Sequence, residues 1–208
     1  MPDLKLFPTL IHRAPLGGRD VAGFNGRLRD AIDALRLHDA PGRAWSDVNY
    51  VGGYTSYATL SKLHRVSAPF TDLERRLAKV VRDFADALGY ELRGRRLEMT
   101  DCWANVMPAG VAHGSHLHPL SFISGTYYVA TPRGAAGLKF EDPRLSMLMA
   151  APPRRSDLPP RRRSFVTVPA RAGMATLFES WLRHEVPATR HAGERISVSF
   201  NYGWRDRA

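Results

Sequence analysis

The chain has 208 residues, 44% of them apolar, which is enough to bury a full core as one domain. Its formal charge is +10, carried almost wholly by arginine, since the only lysines are Lys5, Lys62, Lys79 and Lys139. No apolar run approaches the roughly 18–20 residues of a membrane span. Residues Met1–Leu16 lack both the apolar segment and the small-residue cleavage site of a secretory signal, so a cytoplasmic protein is expected. Cys102 is the single cysteine, which excludes a disulfide framework and a cysteine metal site and leaves a packed thiol as the expectation.

In chain order, Leu4–Leu10 reads as a short strand, with Pro8 favouring a sheet edge. Val21, Phe24, Leu28, Ile32 and Leu35 recur at helical spacing and predict a helix from Asp20 to His38, closed by Pro41-Gly42, with Gly23 and Gly26 weakening its first turns. Gly52-Gly53-Tyr54-Thr55-Ser56 is turn-forming, and no lysine follows to make it a phosphate loop. A second helix is expected from a Thr71/Glu74 capping box, the apolar stripe Leu73, Leu77, Val80, Val81, Phe84 and Leu88, and a terminating Gly89.

From Arg96 onward the pattern changes to short strands separated by turns: Leu97–Met107, Ser121–Ala130, Leu138–Phe140, Ser164–Val168, Met174–Phe178 and Arg195–Tyr202. The expected fold class is mainly β with an α+β composition: a jelly roll, or cupin-like double-stranded β-helix, with N-terminal helices packed on one side. The expected organisation is one domain over 1–208, in which 1–95 supply a strand and supporting helices and 96–208 the jelly-roll core. Arg154, Arg155, Arg161, Arg162 and Arg163 fall in a proline-broken loop over 152–163. It reads as a solvated or lid segment whose charge favours an acidic substrate. With no aromatic interleaved for base stacking, a nucleic-acid partner is not expected.

The chemistry concentrates at His116 and His118, two apart and so on one face of an extended strand, with His184 able to reach them from another strand. Imidazoles suit iron, zinc, copper or nickel, so ligand type alone does not name the metal. His113 is out of phase with His116 on a regular strand and is expected beside the ligands or toward substrate. Eleven residues after His184 comes Arg195, with Ser197 two further along the same strand face. An arginine among Ile196, Val198 and Phe200 is costly to bury unless it meets a carboxylate, which its planar fork would grip together with the Ser197 hydroxyl. The partner could instead be internal: Asp101, Glu98 or Glu179.

These residues carry a resemblance. His116-Leu117-His118, His184 and Arg195-Ile196-Ser197 resemble the HxD…H…RxS arrangement of Fe(II)/2-oxoglutarate-dependent oxygenases. Asn105, Ser124-Gly125-Thr126-Tyr127-Tyr128, Phe178-Glu179-Ser180-Trp181-Leu182-Arg183-His184 and the run from Glu194 to Asn201 are similar to a group of bacterial and phage members, as is Gly52-Gly53-Tyr54-Thr55. The resemblance implies a non-haem Fe(II)- and 2-oxoglutarate-dependent dioxygenase that oxidises, by hydroxylation, a small-molecule or peptide substrate with release of succinate and CO2. It implies Fe(II) on His116, His118 and His184, and 2-oxoglutarate held by Arg195 and Ser197 with Asn105 and one of Tyr127 or Tyr128, with dioxygen as the oxidant. A homodimer is compatible with the sequence.

One position departs from the family pattern. His118 stands where the usual triad has a carboxylate, so either three neutral imidazoles hold the metal or Asp142 or Glu179 supplies the missing carboxylate. Two other classes stay open on the residues alone: a three-histidine cupin-like metalloenzyme that ignores 2-oxoglutarate, and a basic polyanion-binding module.

Overall fold

The computed structural model describes residues 4, 6–16 and 18–206. Among the described residues the first element is a strand, β1 (His12–Pro15), followed by α1 (Val21–His38), α2 (Ala40–Asn49), β2 (Tyr54–Thr55), α3 (Leu63–Val66) and α4 (Ala68–Leu88). Eight strands follow: β3 (Arg96–Met107), β4 (His113–His116), β5 (Ile123–Ala130), β6 (Leu138–Glu141), β7 (Phe165–Val168), β8 (Met174–Glu179), β9 (His184–Val186) and β10 (Arg195–Arg205). They form two sheets, β1-β8-β5-β10-β3-β2 and β4-β9-β6-β7. From β3 to β10 the chain alternates between the sheets in the manner of a double-stranded β-helix, as expected, except that the successive strands β6 and β7 pair with each other in the smaller sheet. No helix is long and apolar enough to cross a membrane among the described residues.

The helical layer covers the outer face of the larger sheet. Phe70, Leu73, Leu77, Val81 and Phe84 of α4 and Phe24, Leu28 and Ile32 of α1 are all buried against Ala104, Val106, Ile196, Val198 and Phe200. Each such side chain contributes about 1.5–3 kcal/mol on leaving water. Gly125 is what lets Phe200 lie flat across β5: a Cβ there would stand 2.6 Å from the phenyl ring. Cys102 belongs to this core, fully buried, and burial pushes its thiol pKa up, so it is a packed and unreactive thiol.

Four local expectations are corrected. The strand expected over Leu4–Leu10 lies instead at His12–Pro15, paired with β8, because Leu4, Leu6 and Phe7 are exposed and meet no sheet; Lys5 lies outside the described residues. Pro41-Gly42 does not close the helical region. Asp39 ends α1 with its N–H on Leu35 O and at once caps α2 by accepting from Gly42 N at 3.0 Å, with Pro41 in the first turn where its missing donor costs nothing. The first turn of α1 is intact despite its glycines, since the Asp20 carboxylate accepts from Gly23 N. Thr71 is not a cap: α4 begins after Ser67, and the Thr71 hydroxyl donates to His64 O. Gly89 does end α4 in the left-handed conformation, at φ 76°.

Candidate metal centre

Between the two sheets lies a cleft lined by side chains from both. Its walls are built by strand alternation. On β10, Arg195, Ser197 and Ser199 face the cleft, while Ile196, Val198 and Phe200 face the helices. β3 repeats the pattern with Trp103, Asn105 and Met107 facing in, and Ser197 stands opposite Asn105.

Across the cleft the smaller sheet presents the histidines. His116 and His184 are direct cross-strand partners on β4 and β9. His118 lies past the end of β4 rather than on it, held by its N–H donating to Ser180 O at 2.9 Å. The three still converge, each offering one ligand nitrogen and all of these within 4.8 Å of one another. The Nε2 atoms of His118 and His184 are 3.4 Å apart. His184 Nδ1 lies 2.9 Å from Leu182 O and His116 Nδ1 2.7 Å from Gly114 O. Those carbonyls can only accept, so both Nδ1 atoms carry the proton and both Nε2 atoms keep a free lone pair. Burial holds all three rings in the neutral form, with pKa values near 3 for His184 and 4 for His118 and a lowered value for His116. Three unprotonated imidazoles aimed at one point are the donor set of a transition-metal site, and Fe(II) fits it.

No carboxylate joins this group among the described residues. Asp142 is bound by Arg144 at 2.9 and 3.0 Å, and Glu179 accepts from the Tyr90 hydroxyl at 2.8 Å. Phe178 and Phe140 pack their rings against His184 at 4.5 and 5.9 Å, and Trp103 lies 5.7 Å from His118, so the metal-facing space is walled by aromatics. Trp181 is 46% exposed and stands outside this wall. The basic loop over 152–163 lies between β6 and β7, the edge strand of the smaller sheet, which is separated by β6 from the strand that carries His184.

Arg195 is 2% exposed and has no carboxylate partner among the described residues. Its Nε donates to Ala136 O at 3.0 Å, and its Nη1 reaches Ser197 Oγ at 3.1 Å and Met107 Sδ at 3.4 Å. The internal ion pair expected as an alternative is therefore absent: Glu98 is engaged by Arg65 and Arg96. A buried guanidinium satisfied only by neutral groups is poised for an anion. Asn105 is fixed from both sides, accepting from the Thr55 hydroxyl at 2.9 Å and meeting Ser199 Oγ at 3.1 Å.

Of the two tyrosines, Tyr127 is opposite Val198 and turns away from the cleft, donating its hydroxyl to Asn25 in the helical layer at 2.6 Å. Tyr128, opposite Ser197, lies against Arg195 with its ring centroid 5.2 Å from the guanidinium carbon. His113, expected beside the ligands or toward substrate, is there: a register irregularity between His113 and His116 brings its ring parallel to His116 at 4.3 Å, inside the cleft. Tyr50, at the end of α2, also lines the cleft and had no periodicity to single it out.

No curated protein matches the chain. Among solved structures, the non-haem α-ketoglutarate-dependent epimerase SnoN of nogalamycin biosynthesis matches with a TM-score of 0.63 at 17% identity, over 93% of this chain and 76% of that one. HygX from Streptomyces hygroscopicus, solved with nickel, 2-oxoglutarate and hygromycin B bound, matches at a TM-score of 0.60 and 16% identity, over 94% and 83%. A Pseudomonas putida prolyl-4-hydroxylase matches at 0.55 and 16%, over 96% and 94%. At these identities the likeness establishes the fold. The family model described as "Putative 2OG-Fe(II) oxygenase" matches residues 101–201, the segment that carries Asn105, the three histidines, Arg195 and Ser197.

Proposed function

We propose that this protein is an Fe(II)- and 2-oxoglutarate-dependent dioxygenase in which His116, His118 and His184 hold the metal and Arg195 and Ser197 hold the carboxylate of 2-oxoglutarate remote from it. When bound, the metal and cosubstrate supply the oxidising chemistry: dioxygen is consumed, 2-oxoglutarate is converted to succinate and CO2, and a substrate is oxidised. The observation that carries the proposal is the pairing of two opposed features in one cleft. A cluster of neutral imidazoles is on one wall, and a buried guanidinium without an acid partner is on the other.

The residues divide the work by chemistry. The carbonyls of Leu182 and Gly114 hold the ring protons of His184 and His116, which orients both Nε2 atoms toward one point. Arg195 offers a charged fork in a site from which water is largely excluded, where attraction to a carboxylate is stronger than at the surface. Phe140, Phe178, Leu138 and Val186 exclude water from the metal side. Replacing the usual carboxylate ligand by His118 leaves the centre one unit more positive, which favours a dianionic cosubstrate. A three-histidine enzyme that does not use 2-oxoglutarate would leave Arg195 and Ser197 without a role, and a polyanion-binding module would leave the histidine cluster without one. The substrate is taken to be a small molecule or peptide, and the protein to be cytoplasmic, which a fold with no disulfide accommodates.

The test is succinate formation with Fe(II) and 2-oxoglutarate, comparing wild type with Arg195→Ala. Loss of one charged, bidentate contact predicts a fall of roughly 100-fold or more in kcat/KM for 2-oxoglutarate, on the scale of about 3 kcal/mol for such a bond. Unchanged turnover in the variant would remove the cosubstrate assignment.

A further inference from the structure

Tyr50 lies outside the family-matched segment, and four observations converge on it. It is 5% exposed, and its hydroxyl reaches no hydrogen-bond partner among the described residues. It lines the cleft together with Arg195, Ser197 and Met107. Its ring stands edge-on to His113 at 5.3 Å and 82°. The Arg195 charge is close enough to oppose the rise in its pKa that burial causes. A buried phenol without a partner costs about 1–3 kcal/mol, so the fold carries a penalty here that a bound group could remove.

The glycine pair after it explains how the ring is placed. Tyr50 caps the end of α2, with its N–H on Ser46 O at 2.8 Å, and its carbonyl accepts from Gly53 N at 2.9 Å across a tight turn. Gly52 in that turn adopts φ 81°. A Cβ on Gly53 would stand 2.7 and 2.8 Å from the Tyr50 ring and 3.0 Å from Val106 O. The Gly52-Gly53 motif, which no other part of the site accounts for, thus makes the space in which the tyrosine ring is held.

Beside Tyr50, Arg195 and Ser197 present further donors, and no carboxylate is among their partners. Several buried donors around one space call for an anionic acceptor. Tyr128 has an unpartnered hydroxyl too, but its ring lies against the guanidinium and is not part of the cleft lining.

We infer that Tyr50 is a binding residue of the cleft, its hydroxyl donating beside Arg195 and Ser197 to the carboxylate of 2-oxoglutarate remote from the metal. The inference rests on the 2-oxoglutarate reading above and makes the helical layer, through the turn at 50–53, part of the cosubstrate pocket. Tyr50→Phe keeps the ring and removes only the hydroxyl. Affinities of Fe(II)-loaded wild type and variant are measured by calorimetry without oxygen, for 2-oxoglutarate and for pyruvate, which has the same 2-oxo acid but no second carboxylate. The expected result is a loss of roughly tenfold or more for 2-oxoglutarate, the scale of one hydrogen bond to a charged group, with pyruvate unchanged. Equal 2-oxoglutarate affinity in the two proteins, or equal weakening of both acids, would overturn the role of Tyr50. Wild-type protein that binds 2-oxoglutarate no better than pyruvate would instead remove the 2-oxoglutarate reading, and this inference with it.

Discussion

The two faces of β10 do opposite work with alternate residues of one strand. Ile196, Val198 and Phe200 point to the helices and are completely buried among apolar neighbours. Arg195, Ser197 and Ser199 point to the cleft, and the first two are equally hidden from water. The outer face gains stability from burial. The inner face conceals a guanidinium and hydroxyls whose partners are few and neutral, so it holds unspent binding capacity at a cost to stability. A strand of period two can do both because the sheet is covered on both sides.

Substitutions on the two faces should therefore separate stability from binding. On the outer face, Phe200→Ala should cost about 3–5 kcal/mol, read as a fall in the urea midpoint, with metal affinity of the folded protein retained. A smaller loss with coincident loss of metal binding would mean that the faces are not separable. Acid acts on the inner face. His184 and His113 titrate near 3 and His118 near 4 when folded, against about 6.5 when unfolded. Between those values the unfolded chain binds more protons, so the metal-free protein should lose stability steadily as pH falls below about 6.5, reaching a floor near 3. A denaturation midpoint that stays level from pH 7 to 5 would show that these rings are not buried in the neutral form. The smallest effect is expected for His118→Asp, which restores the usual carboxylate: Fe(II) affinity should change by less than about tenfold, whereas losing a second-sphere partner alone typically costs 10–100-fold. If equilibrium dialysis shows that His118→Asp abolishes metal binding while His118→Ala does not, the ligand set is wrong.

Local patterns predict the structure where one physical effect dominates. The stripe Leu73, Leu77, Val81 and Phe84 is buried as its spacing requires, and the strands from β3 to β10 that were expected fall within a few residues of their predicted bounds. Sequence pattern and structure part where one residue type has two meanings. Pro41 reads as a helix stop or as a first-turn residue, and only the Asp39 carboxylate, which also accepts from Tyr54 and Thr59, decides for the second. Thr71 with Glu74 has the pattern of a cap, but the helix already starts at Ala68. Tyr127 and Tyr128 are adjacent and equally β-forming, and the register with Val198 and Ser197 sends one to the helices and the other to Arg195.

The order of residues alone determined the fold class, the histidines and the arginine-serine pair, because period, spacing and the cost of burying charge are properties of the chain itself. Tertiary structure decided what those residues meet. A register irregularity turned His113 into the cleft, the absence of any acid beside Arg195 among the described residues left it poised for an anion, and the turn at Gly52-Gly53 brought Tyr50 from a distant helix to the same space. The physical reason is that a hydrogen bond or charge needs its partner within a few ångströms, and for residues as far apart as 50 and 195 that distance is set by packing rather than by sequence separation.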